Sequence, residues 1–502
     1  MSNLGNRKWW VLVAIACSML AVSLDMTVLN VALPTLATEL NASTSELQWF
    51  ANAYNLVLAA LLLPAGMLGD RYGRKKLMLL ALVLFGVASL GCAYSSSTEM
   101  LISMRALLGL GSAFLIPLSM SVLPALFSGD ERTKAMTIWA TANMLGIPLG
   151  PILGGWLLKH YSWGSVFLIN VPVVIIALLA VGLLMPESRS NQRPSIDLIG
   201  IVTSSLGLVC ITYGVIRAGD YGWSDSLSIL SLIGGLVALA VFIIGQRRAA
   251  HSLIDLSLFS YKSFTWGSLL ATCITFALFG MLFTLPLFFQ AVGGSDSFDT
   301  GLRLLPLIVG LIIGAKLADR LIAAIGTKFN VAFGFAIMAI GLLVGSATSI
   351  HSSYGFVALW ITLTGMGLGL TLPATMGSAI SVLSAERAGV GSALIMALRQ
   401  VGGVIGVALL GSALNYNYRN GLDLASVPDT VADTVSQGVT AGIAVAHNLN
   451  SKELLVSVQN AFIHGMGSML WICGGIAIVS IVLTLIFLPK QLGVSQSESI
   501  TV

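Results

Sequence analysis

The chain of 502 residues carries 25 Lys and Arg against 21 Asp and Glu, so 9% of it is charged, where a soluble globular protein carries about 25%. The apolar set reaches 56%, and 53 glycines come besides. That excludes a soluble enzyme, a disordered regulator and a nucleic-acid binder, since the net charge of +4 offers a polyanion no field, and it places the chain in a membrane.

Windows of about 20 apolar residues mark spanning helices. In chain order the predicted spans are 9–33, 47–68, 77–95, 99–122, 133–158, 163–184, 198–216, 227–246, 264–290, 300–321, 329–349, 354–377, 389–413 and 461–488. The first is too long for the apolar core of a cleavable signal, about 7–15 residues. Loops are short except 414–460, where residues 431–449 show some helical periodicity. That segment reads as a spacer, or as a hairpin or re-entrant element over the outer mouth. With the N-terminus inside, the inner segments hold 18 Lys and Arg, among them Arg193 and Lys490, and the outer segments hold Lys159, Arg217, Arg303, Arg419 and Lys452. This asymmetry puts both termini in the cytoplasm.

Two echoes organise the chain. Residues 109–117 read GLGSAFLIP in span 4, and 367–373 read GLGLTLP in span 12. Gly66-Met-Leu-Gly-Asp70-Arg71 closes span 2, and Gly314-Ala-Lys-Leu-Ala-Asp319-Arg320 closes span 10. Both pair span n with span n+8, as two six-span halves separated by an extra pair would. Parallel halves with a site between them describe a secondary transporter. The expected units are an N-terminal six-helix bundle (1–190), two extra helices with linkers (191–262), a C-terminal six-helix bundle (263–490) and a cytoplasmic tail (491–502).

Few charges lie deep. Asp25 is the one acid well inside a span, and an embedded carboxylate marks a functional site by default. From a rise of about 1.5 Å per residue, Asp25 sits roughly 6 Å and Arg105 roughly 9 Å to the outer side of their span centres. Asn52 falls at a similar level, so the three are expected to form one polar cluster. Desolvation and a neighbouring Arg pull an embedded carboxyl in opposite directions, which suits proton exchange; a fixed structural pair is the alternative. Arg399 and Gln400 lie near the middle of span 13. Arg399 must face a cavity or backbone carbonyls rather than lipid, with a structural and a coupling role both open. In span 5, Gly146, Gly150 and Gly154 share one face and permit close helix approach, while Pro148 and Pro151 loosen the helix. That suits a hinge between the halves, and generic small-residue packing is the alternative. Trp139 and Asn143 continue this face toward the cavity. Phe276, Phe279 and Phe283 share a face of span 9, where aromatics hold planar cations or simply pack. Asp70 lies beside helix ends whose amides it can cap. The five cysteines show no C-x-x-C pair, and His160, His251, His351, His447 and His464 form no metal constellation. No G-x-x-x-x-G-K-[ST] loop occurs.

Four motifs carry a resemblance. Gly66-x-Leu68-x-Asp70-Arg71-x-Gly73-Arg74-Lys75 resembles the span 2–3 loop signature of the major facilitator superfamily. Arg105-x-x-x-Gly109-x-Gly111 resembles its span 4 motif, and Gly146-x-x-x-Gly150-Pro151-x-x-Gly154-Gly155 its span 5 antiporter motif. Leu24-Asp25-x-Thr27-Val28-x-Asn30-Val31-Ala32-Leu33-Pro34 resembles the span 1 signature of the fourteen-span drug:proton antiporter branch. The resemblance implies an all-α membrane protein of the major facilitator fold, two six-helix bundles plus two extra transmembrane helices. It implies a conformational latch at Gly66, Asp70, Arg71, Gly73 and Arg74, with Asp319 and Arg320 a degenerate counterpart, and an antiporter-motif hinge at Gly146, Gly150, Pro151, Gly154 and Gly155. Some quaternary-ammonium pumps of the branch carry extra acids in spans 2, 10 and 13. Here those spans offer Asn52, Asp319 at a cytoplasmic end, and Arg399.

The expected protein is a monomeric proton-coupled antiporter, not an enzyme, in the bacterial cytoplasmic membrane. It exports lipophilic, monovalent cationic drugs by alternating access. Asp25 and Arg105 couple protons; Asp25, Asn52, Trp139, Asn143, Phe276, Phe279, Phe283 and Arg399 line the cargo site. It needs no metal or cofactor beyond a proton gradient, and meets drugs, protons and lipids rather than nucleic acid. A dedicated exporter of a metabolite, lipid or metal-bound tetracycline is the alternative transporter. A non-transporting sensor or scaffold is the alternative of another class; it has no use for an embedded Asp25 with a depth-matched Arg105.

Overall fold

The computed structural model describes residues 4–189, 197–249, 253–383, 385–424, 427 and 429–489; Arg193, His251, Lys490 and the tail 491–502 lie outside them. The described residues are helical throughout, without a strand: α1 (Leu4–Glu39), α2 (Thr44–Tyr72), α3 (Arg74–Ala93), α4 (Thr98–Leu126), α5 (Gly129–His160), α6 (Ser165–Leu168), α7 (Asn170–Leu184), α8 (Leu198–Tyr221), α9 (Ser226–Arg248), α10 (Lys262–Leu287), α11 (Ser297–Arg303), α12 (Leu305–Ile325), α13 (Thr327–Gly345), α14 (Tyr354–Ile380), α15 (Ala385–Gly421), α16 (Asp429–Ser436), α17 (Val439–Asn448) and α18 (Lys452–Phe487). Fourteen helical stretches are long and apolar enough to span a membrane, α6 with α7 and α11 with α12 each forming one crossing. With an even number of crossings, α1 begins and α18 ends at one face, the terminal end; the opposite face is the far end.

Several helices start where the sequence supplies a side-chain cap. Ser43 and Glu46 form a capping box on α2, and Ser97, Asp225, Asp296 and Ser451 accept first-turn amides of α4, α9, α11 and α18. One residue suffices between α2 and α3 and between α12 and α13. Both are glycines at positive φ, Gly73 at 113° and Gly326 at 82°, a conformation that costs a side-chain-bearing residue energy. The two junctions are structural counterparts. Asp319 and Arg320, expected as the counterpart of Asp70 and Arg71, instead lie inside α12, exposed and more than a turn before its end.

α1–α7 pack on one another, and α10–α18 do likewise. α8 lies against both α2 and α15, and so straddles the seam between the bundles. Its Gly219 lets Ser412 of α15 approach, and the Ser412 hydroxyl donates to Val215 O at 2.8 Å. Beyond it, Asp220 accepts from Asn415 at 2.9 Å, and the Arg419 guanidinium lies 3.8 Å from its carboxylate.

The long outer loop is shorter than its sequence suggests. α15 continues to Gly421 and α18 begins at Lys452, so residues 414–421 and 452–460 are helical extensions rather than loop. Between them α16 and α17 form a hairpin at the far end. The Tyr418 hydroxyl donates to Val435 O at 2.9 Å, and the Thr44 amide donates to Gln437 O at 2.9 Å. Other far-end links join the bundles: Gln290 Nε2 donates to Val31 O at 2.9 Å, and Lys159 meets Asp296 at 2.8 Å. The Asp299 amide and then Lys159 hold Asp296 below the usual carboxylate range, so this link stays charged at physiological pH.

The span 5 glycines serve packing inside one bundle. A Cβ on Gly146 would meet Ser23 Oγ, one on Gly150 would meet Thr27 Oγ1, and one on Gly154 would approach Val28, all on α1. The contact with the other bundle is made by two other members of the expected hinge set, Gly155 and Pro151. Gly155 meets Ser297 and Phe298 of α11, and Pro151 O meets Gly301. The physical reason is angular: Gly155 stands about 100° around the helix from Gly154 and points to a different neighbour. We expect Gly150→Leu to force α1 and α5 apart, costing about 1–3 kcal/mol and lowering the melting temperature in detergent. Gly234→Leu, on an α9 surface with nothing near, leaves it unchanged.

Candidate functional site

Asp25 and Arg105 face each other between α1 and α4. Arg105 Nη1 donates to Asp25 Oδ2 at 2.6 Å, and each side chain is only 1% exposed. Arg105 Nε donates to Phe50 O at 3.1 Å. The guanidinium lies 4.7 Å from the Tyr54 ring centre and 6.0 Å from that of Phe167. Asp25 Oδ1 accepts from Asn170 Nδ2 at 3.2 Å, which also reaches Ser89 Oγ at 3.2 Å. Tyr54 in turn donates to Ser112 Oγ at 2.7 Å. One network therefore ties α1, α2, α3, α4 and α7 together around a single embedded ion pair.

Asn170 completes the site and has no place in the sequence expectation. It opens α7, at the break after α6. Its signal was an amide in an otherwise apolar run, overlooked beside acids and arginines. Asn52, expected in this cluster, is fully buried, but neither its side-chain oxygen nor its nitrogen has a hydrogen-bond partner. Gln48, one turn earlier, is likewise unpartnered and packs against Gly411 of α15. Depth put Asn52 level with Asp25; its angle around α2 points it away from the pair.

The other expected residues separate into wall and core. Trp139 is buried, and its indole donates to Ser119 Oγ at 2.9 Å. Asn143 is half-buried and joins no hydrogen bond among the described residues. The three phenylalanines of α10 do not form one aromatic face. Phe283 is buried, Phe279 lies against Gly403, and Phe276 lines a cavity of about 520 Å³ between α10, α15 and α18, walled by Thr272, Ile405, Ile476 and Leu483 among others. On α15, Gly403 receives the Phe279 ring, while Gly402 and Gly406 admit Thr272 and the Phe276 backbone of α10. Arg399 is half-buried, with Nε 3.3 Å from Thr275 Oγ1 and Nη1 3.5 Å from Met376 Sδ.

At the terminal end, Arg74 of α3 grips Asp70 of α2 across the Gly73 junction, at 2.8 and 3.0 Å. Arg71 stacks over Tyr72. Gly66 faces Pro117 of α4. The partner of this loop that sequence reasoning missed is Glu187, after α7. Its carboxylate accepts the Lys75 and Lys76 amides at 3.1 and 3.2 Å, capping α3, while Arg74 N donates to Ser188 O at 3.0 Å. A Cβ on Gly73 would collide with Glu187. Among the described residues no group of three or more His, Cys, Asp or Glu gathers as a metal site.

The comparisons agree with this architecture. The family model described as Major Facilitator Superfamily matches residues 15–407. The chain is 31% identical over 491 residues to the tetracenomycin C resistance and export protein of Streptomyces glaucescens, covering 95% of this chain and 91% of that one. It is 31% identical to the multidrug efflux pump LfrA of Mycolicibacterium smegmatis, covering 92% of each, and 29% identical to the methyl viologen resistance protein SmvA of Salmonella typhimurium, covering 91% and 93%. Among solved structures, a bacterial homolog to the human lysosomal transporter Spinster superposes with a TM-score of 0.70 at 15% identity, covering 96% of this chain and 98% of that one, which bears on the fold alone. With its fourteen crossings, its embedded pair and relatives that are resistance and efflux transporters, this chain is a transport protein rather than an enzyme, and it belongs to the Major Facilitator Superfamily.

Proposed function

We propose that the protein is a proton-coupled exporter of lipophilic drugs, working by alternating access in the bacterial cytoplasmic membrane with its terminal end in the cytoplasm. The observation that carries this reading is the sealed Asp25–Arg105–Asn170 network. An ionised Asp25 holds Arg105 and so locks α1 to α4. Protonation removes one charge of the pair and leaves Arg105 to Phe50 O and the Tyr54 ring. The lock loosens, and α1 is free to shift with the bundle it anchors. Each proton entering down 100 mV supplies about 2.3 kcal/mol.

Closure at the far end then corresponds to the state open to the cytoplasm, ready to take cargo. On this reading the Asp70–Arg74 and Glu187 contacts, at the terminal end, are the latch of the cytoplasmic face. The names of the relatives, from tetracenomycin C to methyl viologen, support drug export as the class. A cationic cargo, the expectation from sequence, competes with Arg105 for Asp25. A second reading, anionic cargo, is favoured by Arg399 and is developed below.

Asp25→Asn is expected to abolish dye efflux driven by an imposed pH gradient in proteoliposomes, read with whichever of ethidium and fluorescein the wild type exports, while the melting curve stays cooperative; full efflux by the folded variant refutes the coupling role. Arg105→Ala strands a buried carboxylate and is expected to cost about 3–5 kcal/mol. Adding Asp25→Asn to it recovers part of that loss in thermal melts.

A further inference from the structure

The two embedded arginines of this chain have opposite surroundings. Arg105 has a carboxylate at 2.6 Å, a carbonyl at 3.1 Å and an aromatic face at 4.7 Å. Arg399, in the middle of α15, has only a hydroxyl at 3.3 Å and a thioether at 3.5 Å, both neutral and both at the limit of hydrogen bonding. No described ion pair includes it. The described acids of α10–α18 lie toward the ends of the crossings or in the far-end hairpin: Asp296 and Asp299 near α11, Asp319 exposed in the second half of α12, Glu386 in the first turn of α15, Asp429 and Asp433 on α16, and Glu453 opening α18. Among the described residues, the interior of the C-terminal bundle around the middle of α15 therefore holds one positive charge and no negative one, Lys316 of α12 being exposed.

The position of Arg399 makes it reachable. From α15 its side chain extends toward Thr275 on α10 and Met376 on α14, and it keeps part of its surface open. Gln400 beside it is also half-buried. On α14, Pro373 and Gly377 flank Met376 and are exposed, and nothing lies within 4 Å of the Gly377 Cβ position. An embedded guanidinium without a counter-charge is costly, by about 2.5–3.5 kcal/mol on insertion scales. A planar guanidinium with unused donors matches a carboxylate in a bidentate grip.

We propose that Arg399 is the recognition point for an anionic group of the cargo, a carboxylate or phenolate on an apolar body, with Thr275 and Gln400 as neutral auxiliary contacts. This rests on the export reading above and names its substrate class. The bundles then divide the work: the N-terminal one keeps its pair for the proton, and the C-terminal one takes the charge of the cargo. An anion leaving while a proton enters moves charge inward in both steps. The exchange is therefore driven by membrane potential, whereas exchange of one monovalent cation for one proton is electroneutral.

Fluorescein and rhodamine 123 test this, since they share a xanthene core and differ in charge. Fluorescence polarisation with the full chain in phosphatidylcholine nanodiscs needs no gradient, so the outcome is independent of the Asp25 experiment. Wild type is expected to bind fluorescein in preference to rhodamine 123. Arg399→Gln should weaken fluorescein roughly tenfold or more, as loss of a charge-assisted bond implies, and leave rhodamine 123 unchanged. Arg399→Lys should retain part of the affinity, and Thr275→Val most of it. If Arg399→Gln does not fold, Arg399→Lys decides: a partial loss of fluorescein affinity with rhodamine 123 unchanged supports the site, and undiminished fluorescein affinity overturns it. Unchanged fluorescein binding in a folded Arg399→Gln overturns it. So does displacement of fluorescein by phosphatidylglycerol in the nanodisc without any fluorescein transport by proteoliposomes, which assigns Arg399 to lipid headgroups.

Discussion

The ion pair between Asp25 and Arg105 is the constraint around which the N-terminal bundle is arranged. Neither charge survives alone in a dry interior, and together they still leave donors and lone pairs to satisfy. Phe50 O, the Tyr54 face and Asn170 take up that remainder. Since these groups come from different helices, satisfying one guanidinium and one carboxylate sets the relative positions of α1, α2, α4 and α7. A pair that positions helices this way is sensitive to a single proton, because protonation changes the charge sum without adding a new partner.

Close helix approach is the second constraint. In a bilayer, association rests on packing and interhelical polar contacts rather than on hydrophobic exclusion. Gly146 and Gly150 let α1 side chains enter the backbone of α5, Gly155 and Gly301 bring α5 to α11, and Gly402 and Gly406 bring α15 to α10. The bundle contacts and the inter-bundle contacts thus use the same device on different faces. α8 adds a third element at the seam, polar at its far end through Asp220, Asn415 and Arg419.

Charge at the far end is largely neutralised. Lys159, Arg217, Arg303 and Arg419 each meet an aspartate. Arg217 and the Ser228 amide hold Asp225 down to about 2, so that pair persists across the physiological range. At the terminal end Arg74 meets Asp70 and Lys8 meets Glu131.

Sequence by itself determined the number of crossings, the two-bundle organisation suggested by the GLG echoes, and the pairing of Asp25 with Arg105. Those follow from apolar length, repeat offset and helix rise, which are properties along the chain. What only tertiary structure decided is angular or long-range. Asn52 shares the depth of Asp25 but faces elsewhere, while Asn170 and Glu187 arrive from distant segments. Gly155 meets the second bundle, whereas Gly146, Gly150 and Gly154 stay within the first. A rise of fixed length per residue gives depth directly, whereas facing depends on how neighbouring helices cross, and that is set by the packed bundle as a whole.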